Sequence, residues 1–472
     1  MSNQQILHVV SHECPGDLLT PVAAYLKLQP LGAHFLLESV EGGERSSRYS
    51  FLGLGARARI WANADGTFVQ ERGGTTLRLA TPTDDPLDAA LGYLKRFRLT
   101  GPKALRHCLG GLVGCISYDY VRRLERIGTP PLGAPLPELV FELVDELLVF
   151  DHLKHRVQFA MLSESNQNCH QKRFADVERA LEGPLPAQVR AKTQPRFRRL
   201  MPDTVYCEAV EKLQEHIRAG DIFQAVLSAE VEVENAPPMF EIYRALRRVN
   251  PSPYMFFMDF PELTLAGSSP ESAVKLTGRN AALRPIAGTR KRGGNETEDL
   301  ALEHELKANA KELAEHAMLV DLARNDLSRV AAPGSVVVRD YAHIERFSHV
   351  MHLVSDVEGT LDESATPADL IRATFPAGTV SGAPKIRAMQ LIDEFETTRR
   401  NYYAGCAGYI GADGTLDMAL VIRTAFCTGG RTTIRAGAGV VAGSTPTGEL
   451  QECQSKLAAQ VAAIRDAAGD PA

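Results

Sequence analysis

The chain has 472 residues, of which 44% are hydrophobic and 23% charged, and a formal net charge of −6. That length implies two or three lobes or one large merged unit, and the composition is that of an ordinary soluble enzyme. The acidic balance, with no long Lys/Arg run, argues against a nucleic-acid partner, and no segment approaches the roughly 20 apolar residues of a membrane span.

Residues 1–10 carry no basic stretch followed by a long apolar one, so a cytoplasmic location is expected. Up to residue 182, strand-like runs at 34–37, 58–61 and 147–150 are punctuated by Gly pairs at 42–43, 73–74 and 110–111. This pattern reads as a β-rich N-terminal lobe, 1–182. Residues 86–96 are helical by spacing, with Leu87, Ala90, Leu91 and Leu94 on one side. Residues 183–202 contain prolines and basic residues without apolar periodicity and read as a linker. Beyond it, Asp203 or Thr204 is expected to cap a helix carrying Val210, Leu213 and Ile217 on one face and ending at Gly220. The stretch 203–472 then alternates strands and helices and closes on an amphipathic helix near 449–464. Many strands adjoin Gly turns instead of lying between regular helices, which favours a mainly antiparallel α+β fold over a doubly wound one. The eight cysteines, at 14, 108, 115, 169, 207, 406, 427 and 453, form no C-x-x-C pair and read as reduced core residues.

Two segments offer carboxylates in pairs. Glu312 and Glu315 share one face of a helix whose next residues, Ala317 to Val320, are apolar on all sides. Glu449 and Glu452 repeat the spacing on a helix started by Thr445 and Pro446, with Lys456 on the same stripe. Four carboxylates suit a hard cation such as Mg²⁺, which takes oxygen ligands and often bridges to an anionic substrate. Two unrelated solvated helix faces would show the same spacing.

Gly-rich loops lie among these helices at 285–290, 375–385 and 434–439, and none has nucleotide-binding spacing. Arg423, in the apolar run 419–423 expected as a strand, needs an anionic partner, either a structural carboxylate or a substrate carboxylate. His343, His349 and His352 do not have zinc-ligand spacing; His352 alone suits an acid, a base or a hydrogen-bond donor, or a satisfied core histidine.

Taken together, the segments resemble the chorismate-utilising enzyme family, on its anthranilate-forming branch. The resemblance covers nearly the whole chain. It runs through LLES from Leu36, NPSPYM from Asn250, GSSPE from Gly267, PIAGTRKRG from Pro285 and AEHAMLVDLARND from Ala314. FPAGTVSGAPK from Phe375, IRAGAGVVAGS from Ile434 and the final Glu-x-x-Glu complete it. The resemblance implies a two-lobed sandwich of large antiparallel sheets with outer helices, the lobe 203–472 binding chorismate. It implies Mg²⁺ held by Glu315 and Glu452, with Glu312 and Glu449 acting directly or through water, beside the ring carboxylate of chorismate. Arg423 and Tyr403 are expected to hold the enolpyruvyl carboxylate with the backbone of Gly437, Ala438 and Gly439, and Lys456 a substrate anion. Thr289 and Thr379 are expected to line the pocket, Glu271 to protonate the leaving hydroxyl, which needs a raised pKa, and His352 to serve pyruvate elimination.

Relatives that add water carry a Lys before the V-L-S strand. Here that position is Gln224, which cannot act as that base and favours ammonia as nucleophile. Relatives that make aminodeoxychorismate carry a Lys where this chain has Ala287. That activity is the alternative, and a non-catalytic chorismate or tryptophan binder is a second. The chain has no glutaminase signature, so a separate glutamine amidotransferase subunit and a hetero-oligomer are expected. LLES with NPSPYM resembles a tryptophan feedback site, implying Glu38, Ser39, Pro253, Tyr254 and Met255 as inhibitor contacts.

Overall fold

The computed structural model describes residues 4–39, 48–102, 108–164, 170–187, 193–347 and 350–469. The Gly pair 42–43, Cys169 and His349 lie outside them. Strand Tyr254–Phe260 shows why the chain builds sheets covered on both faces. Its side chains alternate: Phe256, Met258 and Phe260 enter one core, while Met255 and Phe257 enter a second. A strand buried on both sides is apolar throughout, as Tyr-Met-Phe-Phe-Met is.

The first core lies within the sandwich, where Phe141, Ile116, Met418 and Leu420 meet. The second lies under the outer helices Asp203–Ala219, Met239–Val249 and Pro446–Ala467, whose Tyr206, Tyr243 and Ile464 pack on Leu36, Leu148 and Leu227. Burying such side chains contributes about 1.5–3 kcal/mol each. Pairing is antiparallel throughout the described strands except for Gln5–Pro15 with Phe97–Thr100, and the network closes on itself. A separate three-stranded sheet has Val350–Val354 between Ile286–Lys291 and His343–Arg346. The α+β fold and antiparallel sheets read from the sequence are therefore present.

Three local expectations differ from the structure. The 183–202 stretch is not only linker: Arg196–Arg199 is a strand on Gln224–Glu234, because its alternating Arg198 finds Glu232 across the pair. The helix after it is preceded at the cap position by Pro202, with no side-chain cap; Asp203 sits in the first turn and pairs with Arg199 instead. Gly220 does end that helix, in the left-handed conformation (φ 83°). Arg423 is not in a strand. It occupies a left-handed turn position (φ 50°) between strands Leu416–Leu420 and Thr424–Thr428.

The two chain stretches expected as lobes share hydrogen-bonded sheet. Phe35–Glu38 pairs with Tyr254–Phe260, and Leu112–Ile116 with Cys406–Ile410. The seven described cysteines are all free thiols, and among the described residues no helix is long and apolar enough to cross a membrane.

Candidate functional site

Glu271 follows the end of strand Leu263–Ser269 and is buried. Thr379, from the 375–385 loop, donates to its Oε1 at 2.7 Å. Burial pushes the Glu271 carboxyl up to about 8, against that hydrogen bond and the charges of Lys456 and Arg423. At neutral pH the side chain therefore holds a proton, as the expected general acid must. Burial lowers the pKa of the Arg423 guanidinium, while Glu271 acts in the opposite sense, and no described side chain hydrogen-bonds it. Its left-handed backbone and its burial are costs that an anionic ligand would offset.

The Arg423 charge also reaches His352. The strand register pairs it with Thr289, whose hydroxyl lies 2.9 Å from His352 Nδ1. The other ring nitrogen, Nε2, is buried without a hydrogen bond. Burial, then the Arg423 charge, lowers the imidazole to about 4, so it is neutral and able to accept a proton.

The last strand, Arg431–Val440, forms another wall. Thr424–Thr428 pairs with it only as far as Ile434, leaving the edge beyond open among the described strands. Opposite Gly437 and Gly439, Ser228 and Val226 turn their amides away, to Glu396 and to the Ser381 carbonyl. The two glycines therefore face the open edge, and Lys456 Nζ donates to the Gly437 carbonyl there at 3.1 Å. Ala438, between them, is fully buried. A Cβ on Gly437 would come within 2.7 Å of the Leu227 carbonyl oxygen, a backbone atom, whereas one on Gly439 would meet only the movable end of the Gln224 side chain. Gln224 is buried, and its Oε1 has no hydrogen-bond partner.

The paired carboxylates sit on facing helices, Ala310–Ser328 and Pro446–Ala467. Burial raises the Glu315 carboxyl; Lys311 opposes this, while Glu312 and Glu452 add to it. Burial likewise raises Glu449, whose Oε1 accepts from Ser444 at 2.5 Å. Glu315 Oε1 and Glu449 Oε2 are buried without hydrogen bonds. Glu312 is held by Arg290 at 3.1 Å and Glu452 by Lys456 at 2.8 Å. Among the described residues no three His, Cys, Asp or Glu side chains converge closely enough to ligate one ion. The donor chemistry nevertheless fits a hard cation, since each helix presents a buried carboxylate oxygen without a hydrogen bond, Glu315 Oε1 having only the Lys311 ammonium at 3.6 Å.

Tyr403 is buried in the first core, its ring under the guanidinium groups of Arg400 and Arg435 at 5.6 and 5.8 Å. Those arginines belong to a network absent from the sequence expectations. Glu396 accepts from Ser228, Arg400 and Arg435, and all three charges are almost fully buried. Arg400 also donates to the carbonyls of Val380 and Val226. The network thus ties the loop of Thr379 to the strands of Gln224 and Gly437. Lys385 pairs with Asp326 at 2.7 Å and anchors the other end of that loop. Charge-rich text at 396–400 was the only available signal.

A cavity of about 980 Å³ lies elsewhere. Glu38, Ser39, Pro253, Tyr254 and Met255 all line it, brought together because Glu38 pairs with Met255 across the sheet. Glu38 itself is engaged by Tyr243 and Arg247. The carboxylate of Asp417, paired with Lys275 at 2.9 Å, faces the same cavity and was not expected. Arg284 lines both this cavity and the pocket containing Glu271 and Thr379.

A family model described as chorismate binding enzyme matches residues 32–462. Anthranilate synthase component 1 of Thermus thermophilus is 45% identical over 454 residues, covering 95% of this chain and 96% of that protein. The same component of Acetivibrio thermocellus is 39% identical over 473 residues, covering 97% and 95%. Among solved structures, anthranilate synthase component I from Streptococcus pneumoniae TIGR4 superposes with a TM-score of 0.79 at 33% identity, covering 94% of this chain and 98% of that one. A menaquinone-specific isochorismate synthase from Escherichia coli shares the fold, with a TM-score of 0.74 at 20% identity, covering 98% and 95%.

Proposed function

This chain belongs to the chorismate binding enzyme family, on its anthranilate synthase component 1 branch, and we propose that it converts chorismate and ammonia into anthranilate and pyruvate with Mg²⁺. The observation that carries the choice of nucleophile is Gln224. Its buried, unpartnered Oε1 can accept an N–H from ammonia but cannot deprotonate water. Ammonia brings its own lone pair and needs positioning more than activation.

The nitrogen lone pair forms the new C–N bond beside the ring carboxylate, the ring double bonds shift, and the hydroxyl departs as water with the proton of Glu271. The ammonium formed returns a proton to Glu271. His352, neutral with a free Nε2, serves the second step, in which the ring loses a proton and the enolpyruvyl group leaves as pyruvate. Arg423 and the open amides of Gly437 and Gly439 hold the enolpyruvyl carboxylate, with Tyr403 behind them. Glu315, Glu452, Glu312 and Glu449 are the residues to hold Mg²⁺, which supplies positive charge for the ring carboxylate.

The component 1 names of the relatives support a partner component, which we take to be a glutamine amidotransferase supplying ammonia in the cytoplasm. The 980 Å³ cavity is the proposed tryptophan site, with Ser39 and the 253–255 backbone as polar contacts and Asp417 for the ammonium. Incubating the chain with chorismate and an ammonium salt, with and without Mg²⁺, and following anthranilate fluorescence tests the activity. Formation of isochorismate or aminodeoxychorismate in place of anthranilate contradicts it.

A further inference from the structure

The large cavity and the chemistry share a wall. The strand His343–Arg346 and the adjoining Phe347 line the cavity on one side. On the other, that strand pairs with Val350–Val354, placing Glu345 opposite His352. Phe347 turns its ring onto the His352 imidazole, with centroids 5.6 Å apart and planes inclined by 60°. Its backbone is fixed at both ends: the amide donates to the Val350 carbonyl at 2.8 Å, and Arg292 donates to the Phe347 carbonyl at 2.7 Å. Arg292 also lines the cavity and is anchored by Asp299. Glu345 holds Arg284, which faces both the cavity and the Glu271 pocket.

We infer that Phe347 is a positioning residue for His352, and that an occupant of the cavity acts on the reaction through it. This rests on the reading of His352 and of the cavity given above. The imidazole is held by Thr289 at Nδ1 and by the Gly288 backbone, and the Phe347 ring packs against it. A ligand that fills the cavity presses on Phe347, Arg292 and Glu345 and shifts the surface against which the imidazole rests. An effector changes a distant reaction only through an element that both sites touch with different free energy in its two positions, and this strand is in contact with both.

The test is Phe347→Leu, with Phe347→Tyr as the conservative variant. In the leucine variant kcat falls by about tenfold, the scale of a misaligned proton acceptor. KM for chorismate stays within about threefold, and the aminated ring intermediate accumulates, as expected when the His352 step is slowed. Tryptophan still binds by calorimetry but no longer inhibits fully at saturation, and Phe347→Tyr restores both properties. Complete inhibition of Phe347→Leu at saturating tryptophan, or normal kcat without intermediate, overturns the inference while leaving the cavity reading intact. If tryptophan fails to bind the wild-type protein, the cavity reading itself is overturned, and the coupling with it.

Discussion

Replacing Glu271 by Gln removes a proton and keeps the shape. The amide oxygen still accepts from Thr379, so the 2.7 Å contact and the loop behind it are retained. What is lost is the acid held protonated by burial, with a pKa of about 8. A positioned general acid contributes about 10²- to 10⁴-fold, or roughly 2.7–5.4 kcal/mol of barrier. Ammonia-dependent kcat should therefore fall by that factor, with chorismate KM little changed. The pH dependence follows from the direction of the shift. The acid is protonated below about 8 and ionised above it, so the wild-type rate declines with rising pH, by about tenfold between pH 7 and 9 on this limb. Stability follows the same sign, because burial penalises the carboxylate: the contribution is present at low pH and is lost as pH rises through the folded value. Steady-state kinetics from pH 6 to 9.5, corrected for the ionisation of ammonium, measure the limb in both proteins. A variant within threefold of wild type, or one that retains the alkaline limb, would refute the role of Glu271.

Glu315→Gln or Glu452→Gln should lower ammonia-dependent turnover at least ~10²-fold at modest Mg²⁺, and near-normal turnover in either removes that residue from the cation site. Ser39→Phe should abolish tryptophan binding by calorimetry while leaving uninhibited turnover largely unchanged; equal binding in the variant contradicts the cavity assignment. Glu396→Gln leaves Arg400 and Arg435 buried without their carboxylate, which should cost about 3–5 kcal/mol of stability; denaturant melts with an unchanged midpoint would show that the network carries little.

The readable parts of the molecule were those coded locally. Thr445 and Pro446 start the last helix because the cap and its proline are adjacent in sequence, and Glu449, Glu452 and Lys456 follow from helical spacing alone. The strands Tyr49–Asn63 and Leu139–Asp151 were visible as the strand-like runs at 58–61 and 147–150. Features that depend on cross-chain register were not legible. Arg423 looked like a strand residue because its neighbours are apolar, yet the chain turns there to bring it to Glu271 and His352. Beyond Arg400, four residues on, the partners of Glu396 are Ser228 and Arg435, on strands 168 and 39 residues away, and nothing local marks those two. Asp417 and Phe347 became candidates only once the cavity placed them. Glu38 was expected to meet a ligand, but its carboxylate is held by two residues of a helix more than 200 positions along the chain.

The most direct measurement is the identity of the nitrogen-containing product formed from chorismate and ¹⁵N-ammonium by the purified chain with Mg²⁺. The expected result, by mass spectrometry and NMR, is ¹⁵N-anthranilate with one equivalent of pyruvate and no isochorismate. Label in aminodeoxychorismate, with the amino group at the other ring carbon, or an unlabelled isochorismate product, would contradict the account.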